Sequence, residues 1–132
     1  MTSHMQKLTV LIYVESRYRI NRKRVRAAMD AVLVENNVTT PIEVSLAIVG
    51  NRKMKYLNKT YRDKDKTMNI LSFPLAEGES SRLPSDVVRL GDIIISYPEL
   101  IRESAELDML VDDRVDELVQ HGMLHLLGLH HE

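Results

Sequence analysis

The sequence of 132 residues contains no cysteine and no tryptophan. Without cysteine, the chain has neither a disulfide framework nor a thiolate metal site. It also has no apolar run long enough to span a bilayer and no secretory signal, which predicts a cytoplasmic protein without a membrane partner. Aromatic residues make up only 5% of the chain, so a binding site built mainly on ring stacking is not expected.

Length and apolar content suit one globular domain spanning residues 1–132. The chain is 44% hydrophobic, which is enough for a buried core at this length. Residues 1–5 read Met-Thr-Ser-His-Met, which we interpret as a cloning scar and leave out of the fold prediction.

Charge is divided unevenly along the chain. Residues 1–66 carry fourteen Lys and Arg against six Asp and Glu, whereas residues 67–132 carry four against thirteen. Seven of the basic side chains, Lys59 among them, fall within residues 52–66. The basic half could present a face to a polyanion, or the two sets of charge could interleave in three dimensions. The sequence leaves both alternatives open.

Hydrophobic periodicity predicts four strands and four helices in the order βαβαββαα. The predicted strands are residues 8–15, 42–49, 69–73 and 90–96. The predicted helices run from Asn21 (as N-cap) to about Asn36, from Gly50 to about Tyr61, from Pro98 and from about Val111. This pattern is typical of an α+β domain: a small, roughly four-stranded mixed sheet with helices packed on it.

Three local features refine the fold prediction. Residues 75–89 are expected to form a surface loop. Gly91 is expected to permit a close approach of two backbones. In the second helix, Met54, Leu57 and Tyr61 recur at helical spacing and are predicted to form the inner stripe.

Four of the five histidines lie within the last dozen residues. His121 and His125 are four apart, so on a helix their rings project from one face. Gly128 is expected to end that helix in a left-handed cap, after which the chain can bring His130 or His131 toward the first two rings. Three imidazoles leave a fourth position open on a zinc ion, which is the catalytic pattern. Zn²⁺ is favoured, although nickel, copper and cobalt also accept three imidazoles.

The environment of this histidine pair strengthens the metal interpretation. The final turns of the helix are apolar nearly all round, which predicts that they are buried. Buried imidazoles need polar partners, and one metal ion would serve both. The alternative is that the two histidines are ordinary helix residues.

The residues of the site favour one class of hydrolysis, that of phosphodiesters, over that of peptides. Gly122 stands where a zinc peptidase carries the glutamate of H-E-x-x-H, which disfavours a peptidase. A phosphodiester depends less on that base, because a guanidinium such as that of Arg62 can hold its oxygens. An ion pair of Arg62 with Asp63 or Asp65 is the alternative.

Lys59, one of the basic side chains within residues 52–66, is a candidate for substrate binding, and three further side chains are candidates near such a site. Asn69 and Ser72 could hydrogen-bond ribose or phosphate, or could serve only in the sheet. Asp92 could orient a metal-binding histidine by accepting a hydrogen bond from its ring.

Three segments, the first of them in two parts, together resemble the YbeY family of metal-dependent single-strand endoribonucleases. Residues 57–62 (LNKTYR) are similar to its L-N-x-x-Y-R segment, and residues 69–74 (NILSFP) to its D-V-L-S-F-P strand. Residues 90–96 (LGDIIIS) are similar to L-G-D-I-x-I-S. The histidine window is similar to H-G-x-L-H-L-x-G-Y-D-H. The resemblance runs in one order from about Leu8 to the last residue.

The resemblance implies a function and a set of site residues. It implies metal ligands His121, His125 and His131, a zincin-like site, and phosphate contact by Arg62. It also implies cleavage of single-stranded RNA in ribosomal RNA maturation and ribosome quality control, with the small ribosomal subunit as partner. The alternative is a ribosome-assembly module that binds RNA or protein around a structural metal, without turnover. Oligomeric state is not predicted.

The chain departs from the family pattern at several positions. His130 replaces an aspartate, which makes the third ligand ambiguous between His130 and His131. Asn69 replaces the strand aspartate, and Met68 replaces the threonine before it. The sequence ends at Glu132, where relatives continue into a further helix. Both alternatives stay open: a natural minimal form without that helix, or a sequence from which residues are missing.

Overall fold

Four strands and four helices make up the computed structural model, which describes residues 8–15, 17–75 and 86–129. In chain order they are β1 (Leu8–Val14), α1 (Arg22–Glu35), β2 (Ile42–Val49), α2 (Asn51–Arg62), β3 (Ile70–Pro74), β4 (Val88–Ser96), α3 (Tyr97–Glu106) and α4 (Val111–Leu126). The prediction of a small α+β domain with a four-stranded mixed sheet is confirmed. No helix in the described ranges is long and apolar enough to cross a membrane.

The sheet has the strand order β1-β2-β4-β3. The first three of these strands run parallel, and β3 runs antiparallel to β4. The parallel pairs are joined by long connections that contain α1 or α2, as parallel pairing requires. β3 therefore lies at an edge of the sheet, where its outer side is open to neighbouring helices.

β4 begins two residues earlier than the sequence predicted. Residues 88 and 89, assigned to the loop 75–89, instead belong to the strand, and residues 76–85 of that loop lie outside the described ranges. Arg89 pairs with Glu43 of β2, and their side chains form an ion pair at 3.4 Å. The partner strand lies more than forty residues away, so the local pattern could not reveal this pairing.

Two predictions about local backbone are confirmed. Asn21 caps α1, since its side-chain oxygen accepts a hydrogen bond from the Arg24 amide at 3.1 Å. Gly91 has φ +148°, and a Cβ there would lie 2.4 Å from the carbonyl oxygen of Phe73. Only glycine allows β3 and β4 to approach so closely.

The helices pack on opposite faces of the sheet. On one face, α1, α3 and α4 cover a core that includes Ile93 and Ile95. On the other face, α2 places Met54 against Leu71 and Ile94. The alternation of strand side chains separates the two clusters, so neighbouring residues of β3 and β4 serve different faces.

The α4 helix lies close to β4 because Gly122 has no side chain. A Cβ at this position would lie 2.9 Å from Cδ1 of the fully buried Ile93, and 3.2 and 3.4 Å from Cγ1 and Cγ2. The absence of a glutamate at this position, which the sequence suggested was a matter of chemistry, thus also has a packing cause. Gly122 lies on the side of α4 that faces the sheet.

The predicted inner stripe of α2 is partly wrong. Met54 is buried and Leu57 half-buried as expected, but Tyr61 is 64% exposed and Asn58 is fully buried. Asn58 lies four residues after Met54, on the same helical face. Its Nδ2 donates to the carbonyl oxygen of Lys66 at 2.9 Å, so its burial holds the turn that follows the helix.

The opposite charges of the two halves of the chain interleave only in part. On α1, Arg24 forms ion pairs with Asp113 and Asp116 of α4, and hydrogen bonds to these carboxylates raise its pKa above the usual value. On α2, by contrast, the one ion pair among described residues is a contact of 3.9 Å between Lys55 and Asp65. Most basic side chains of α2 therefore lie without a carboxylate partner among the described residues.

Candidate active site

A cleft of about 700 Å³ lies at the outer edge of β3, between α4 and the end of α2. Its size is that of a typical ligand site. Its lining combines apolar side chains with polar ones, and the charged side chains include both signs. The lining residues are Asn58, Arg62, Lys64, Met68, Asn69, Ile70, Leu71, Ser72, Arg114, Glu117, Leu118, His121 and His125.

Both histidines of α4 line this cleft, one helical turn apart. His121 is exposed at its mouth, and His125 is half-buried. The hydroxyl group of Ser72 on β3 is hydrogen-bonded to Nδ1 of His125. The edge strand therefore fixes the orientation of the His125 ring.

The prediction that α4 is buried nearly all round is wrong. Leu118, Val119 and Met123 are buried, but Leu124 is only half-buried and His121 is exposed. The histidine side of the helix lines the cleft beside the edge strand β3, and there it meets solvent. The burial of the two histidines is consequently weaker support for a metal ion than the sequence suggested.

The end of α4 has the expected cap. Gly128 adopts φ +81°. The amide of Leu129 donates to the carbonyl oxygen of Leu124 at 2.8 Å, and that of Gly128 to His125 at 3.0 Å. This is the Schellman arrangement, which turns the chain away from the helix axis. His130 and His131, between which the third ligand was left open, lie outside the described residues.

Arg62 reaches the cleft from the last turn of α2. Its guanidinium donates to the carbonyl oxygen of Ser72 at 2.7 Å and lies over the Phe73 ring, 5.1 Å from the centroid. No ion pair joins it to a described carboxylate, so the predicted alternative with Asp63 or Asp65 is not seen within the described residues. The guanidinium has five N–H groups, of which the contact with Ser72 uses one.

Ser72 links the two candidate residues. Its backbone carbonyl accepts from Arg62, and its side chain contacts His125. Strand alternation points Ser72 toward α4 and Phe73 toward α2. Side chains from α2 and α4, which lie on opposite faces of the sheet, thus contact the same residue of the edge strand.

The other predicted residues are placed differently. Asn69 lines the cleft and donates to Glu103 at 3.3 Å. Lys59 is exposed on α2 and does not line the cleft. The Asp92 carboxylate accepts from the Ser45 hydroxyl and shares the α2 face of the sheet with Ile94. It therefore lies on the face opposite the histidines and does not orient either of the two described ones.

Several lining residues were missed by the sequence reasoning. Arg114 is held by Glu103 at 2.8 Å and by Glu117 at 2.8 Å. Partial burial lowers the pKa of Arg114, but these hydrogen bonds outweigh it, so that the pKa lies above its usual value. Lys64 is brought to the cleft by the turn that Asn58 holds. The spacing of Asn58 from Met54, which places both on one helical face, is a sequence signal that could have indicated the burial of Asn58.

The donors in the cleft fit a metal of the zinc type in part. His121 and His125 supply two imidazoles from one helical face, and Ser72 supplies the outer contact that metal-binding histidines commonly make. Within residues 8–15, 17–75 and 86–129, no group of three His, Cys, Asp or Glu side chains is placed to hold an ion. A three-imidazole site would thus need a histidine outside these ranges.

The fold and the cleft together define a class: a small α+β domain with a histidine-bearing helix beside the edge strand of a mixed sheet. The solution structure of TM1509 from Thermotoga maritima has a similar fold, with a TM-score of 0.60 at 22% identity. The similarity covers 94% of this chain and 75% of that one.

Residues 12–132 match the family model described as endoribonuclease YbeY, and the chain belongs to that family. A Sulfurihydrogenibium protein named endoribonuclease YbeY is 35% identical over all of this chain and 84% of its own length. The relative of that name from Rhodospirillum rubrum is 42% identical over 70% of this chain. The chain spans 47% of the Rhodospirillum rubrum protein and 66% of a Magnetococcus marinus relative.

Proposed function

We propose that this protein is a metal-dependent endoribonuclease that cuts single-stranded RNA. The observation that carries the proposal is the meeting of Arg62 and His125 at Ser72, beside a cleft that His121 also lines. Membership of the YbeY family supports the reaction class. By the same likeness, the proposed setting is the cytoplasm, in ribosomal RNA maturation and ribosome quality control on the small ribosomal subunit.

The proposed metal ligands are His121, His125 and His131, with His130 as the alternative third ligand. Because Ser72 contacts Nδ1 of His125, Nε2 is the proposed ligating nitrogen of this residue. When bound, a zinc-type ion supplies Lewis acidity to the phosphoryl group and acidifies water. The chain's own contribution is to hold the imidazoles in one orientation on a rigid helix.

Arg62 is proposed to bind the scissile phosphate. A planar guanidinium can hold two non-bridging oxygens at once, which a lysine cannot. The contacts with the Ser72 carbonyl and the Phe73 ring fix the guanidinium before substrate arrives. A donor that is already oriented stabilises the charge that develops during phosphoryl transfer without reorganising.

The basic side chains of residues 52–66 are proposed to attract the RNA backbone. Lys64 would act inside the cleft, and Lys59 on the adjoining helix surface. Asn69 and Ser72 are proposed to contact ribose or phosphate from the edge strand. A peptidase remains disfavoured, because Gly122 packs against Ile93 and has no room for a glutamate.

The test compares RNA cleavage by metal-loaded wild type with that of His121→Ala and His125→Ala. Elemental analysis of each protein measures metal content, and unfolding by urea checks that each variant folds. We expect both substitutions to abolish cleavage and to lower bound metal. Equal cleavage by wild type and both variants would refute the assignment.

A second comparison separates catalysis from a binding module with a structural metal. We expect Arg62→Ala to reduce the cleavage rate about 100- to 1,000-fold, as the loss of one oriented donor does, while RNA binding is largely retained. Arg102→Ala, which removes an exposed arginine of α3 outside the cleft lining, is the matched control. RNA binding without turnover in wild type, together with unfolding on chelation, would instead identify the binding module.

A further inference from the structure

We propose that Tyr61 stacks on the nucleobase next to the phosphate that Arg62 binds. This inference rests on the proposed function, because it takes RNA as the substrate. It assigns a role to a side chain that the sequence pattern had predicted to lie in the core. It also gives a physical reason why the substrate should be single-stranded.

The exposure of Tyr61 is the first observation. Its side chain is 64% exposed on α2 although the helical pattern placed it inside. Its ring packs in a T-shaped contact with that of Phe73, with centroids 5.5 Å apart and planes at 61°. Such a contact occupies only part of the aromatic surface and leaves ring area accessible to a ligand.

The second observation is the position of Arg62 in the same cluster. The guanidinium of Arg62 lies 5.1 Å from the centroid of the Phe73 ring that Tyr61 also contacts. Phe73 is half-buried on the edge strand and holds both neighbours in place. A cation and an exposed ring are thereby fixed side by side. This matches a nucleotide, which carries an anionic phosphate beside a planar base.

The edge strand supplies the path between cleft and ring. Ser72 faces the cleft and His125, whereas the next residue, Phe73, faces α2. A strand of RNA that crosses the edge of β3 at Arg62 would leave the cleft and meet Tyr61 directly. The base that reaches Tyr61 must be unpaired, because a base in a duplex is covered by its neighbours.

Tyr56 provides a matched comparison on the same helix. It is 61% exposed, nearly the same as Tyr61, but it lies roughly 140° further round the helix axis. Within the described residues it makes no ring or guanidinium contact, whereas Tyr61 is packed against Phe73. Exposure alone would make the two tyrosines equivalent. Position relative to Arg62 makes only Tyr61 a stacking residue.

The experiment measures binding of a fluorescein-labelled single-stranded oligoribonucleotide to metal-loaded protein by anisotropy in the cold. Gel electrophoresis verifies that the RNA stays intact. The variants are Tyr61→Leu, which keeps an apolar contact with Phe73 but has no aromatic face, Tyr61→Phe and Tyr56→Leu. Urea unfolding of each variant checks that the fold is retained.

We expect Tyr61→Leu to weaken RNA binding about 5- to 100-fold, as the loss of one stacked base does. Tyr61→Phe and Tyr56→Leu should each change it less than about 2-fold, as surface substitutions do. Replacing one nucleotide at a time by an abasic residue should weaken wild-type binding most at one position. Tyr61→Leu should not add to the loss at that position.

Two results would overturn the inference. One is binding by Tyr61→Leu equal to that of wild type. The other is an abasic effect that adds in full to the effect of Tyr61→Leu at every position. Because binding is measured without cleavage, the outcomes separate. Stacking on Tyr61 without RNA cleavage by wild type would leave the inference standing and reject the nuclease, and cleavage without a Tyr61 effect would do the reverse.

Discussion

The contact between Gly122 of α4 and Ile93 of β4 predicts a non-additive pair of substitutions. An alanine at position 122 would place its Cβ 2.9 Å from Cδ1 of Ile93 and 3.2 Å from Cγ1. Ile93 is fully buried and β-branched, so it has little freedom to move aside. The helix must shift away from the sheet, or the isoleucine must adopt a strained rotamer.

The expected stability change of Gly122→Ala alone is too variable to test the contact, whereas the comparison with the double variant does test it. Gly122→Ala gains about 1 kcal/mol of helix propensity. It loses about 1–3 kcal/mol by overpacking, so the net change is about 0–2 kcal/mol of destabilisation. Ile93→Val alone costs about 0.5–1.5 kcal/mol. In the double variant, however, valine lacks the Cδ1 atom that lies at 2.9 Å from the new Cβ.

We therefore expect the loss of unfolding free energy in the double variant to be smaller than the summed losses of the two single variants by about 1 kcal/mol or more. Helix propensity cancels in this comparison, because it is present in both alanine proteins. The measurement is the free energy of unfolding from urea titrations, with an unchanged m-value as the check on two-state behaviour.

Gly128→Ala combined with Ile93→Val is the control. A Cβ at Gly128 would meet nothing within 4 Å, so these two effects should add. Additivity of Gly122→Ala with Ile93→Val, within about 0.5 kcal/mol, would refute the reasoning that this glycine sets the distance of the helix from the sheet.

Three further results follow from single contacts. Ser72→Ala should lower metal affinity about 10- to 100-fold by titration calorimetry, because His125 loses its orienting contact; an effect no larger than that of Ser45→Ala, on the far face, would contradict this. Gly128→Ala should destabilise the protein by about 1 kcal/mol, because alanine is strained at φ +81°; an unchanged thermal midpoint would contradict it. Asn21→Ala should cost about 1 kcal/mol through loss of the α1 cap, and Asn21→Ser should restore most of it; equal stability of the two variants would argue against the cap.

Some features of the site could be read from short-range spacing. His121 and His125 face the same cleft because residues four apart share a helical face. Gly128 and Asn21 end and begin their helices because their local conformations suit those positions. None of these required knowledge of a partner strand.

Other features could not be read in this way. The pattern of α2 placed Tyr61 inside, because periodicity does not show where a sheet ends. The same limitation made α4 look buried, although its cleft side lies beyond the edge strand. For Asp92, the choice of sheet face depends on strand alternation in a register set by β2 and β3.

The amino-acid order by itself determined the kinds of elements, their caps and the histidine pair, because each depends on groups within about one helical turn or a few strand residues. Tertiary structure alone decided that β3 lies at the edge of the sheet, and that Ser72 joins Arg62 to His125 there. It also decided that Tyr61 and Arg62, which are neighbours in the sequence, both pack against Phe73. The physical reason is that side chains from α2, β3 and α4 meet only after long-range strand pairing and core packing have fixed both faces of the sheet.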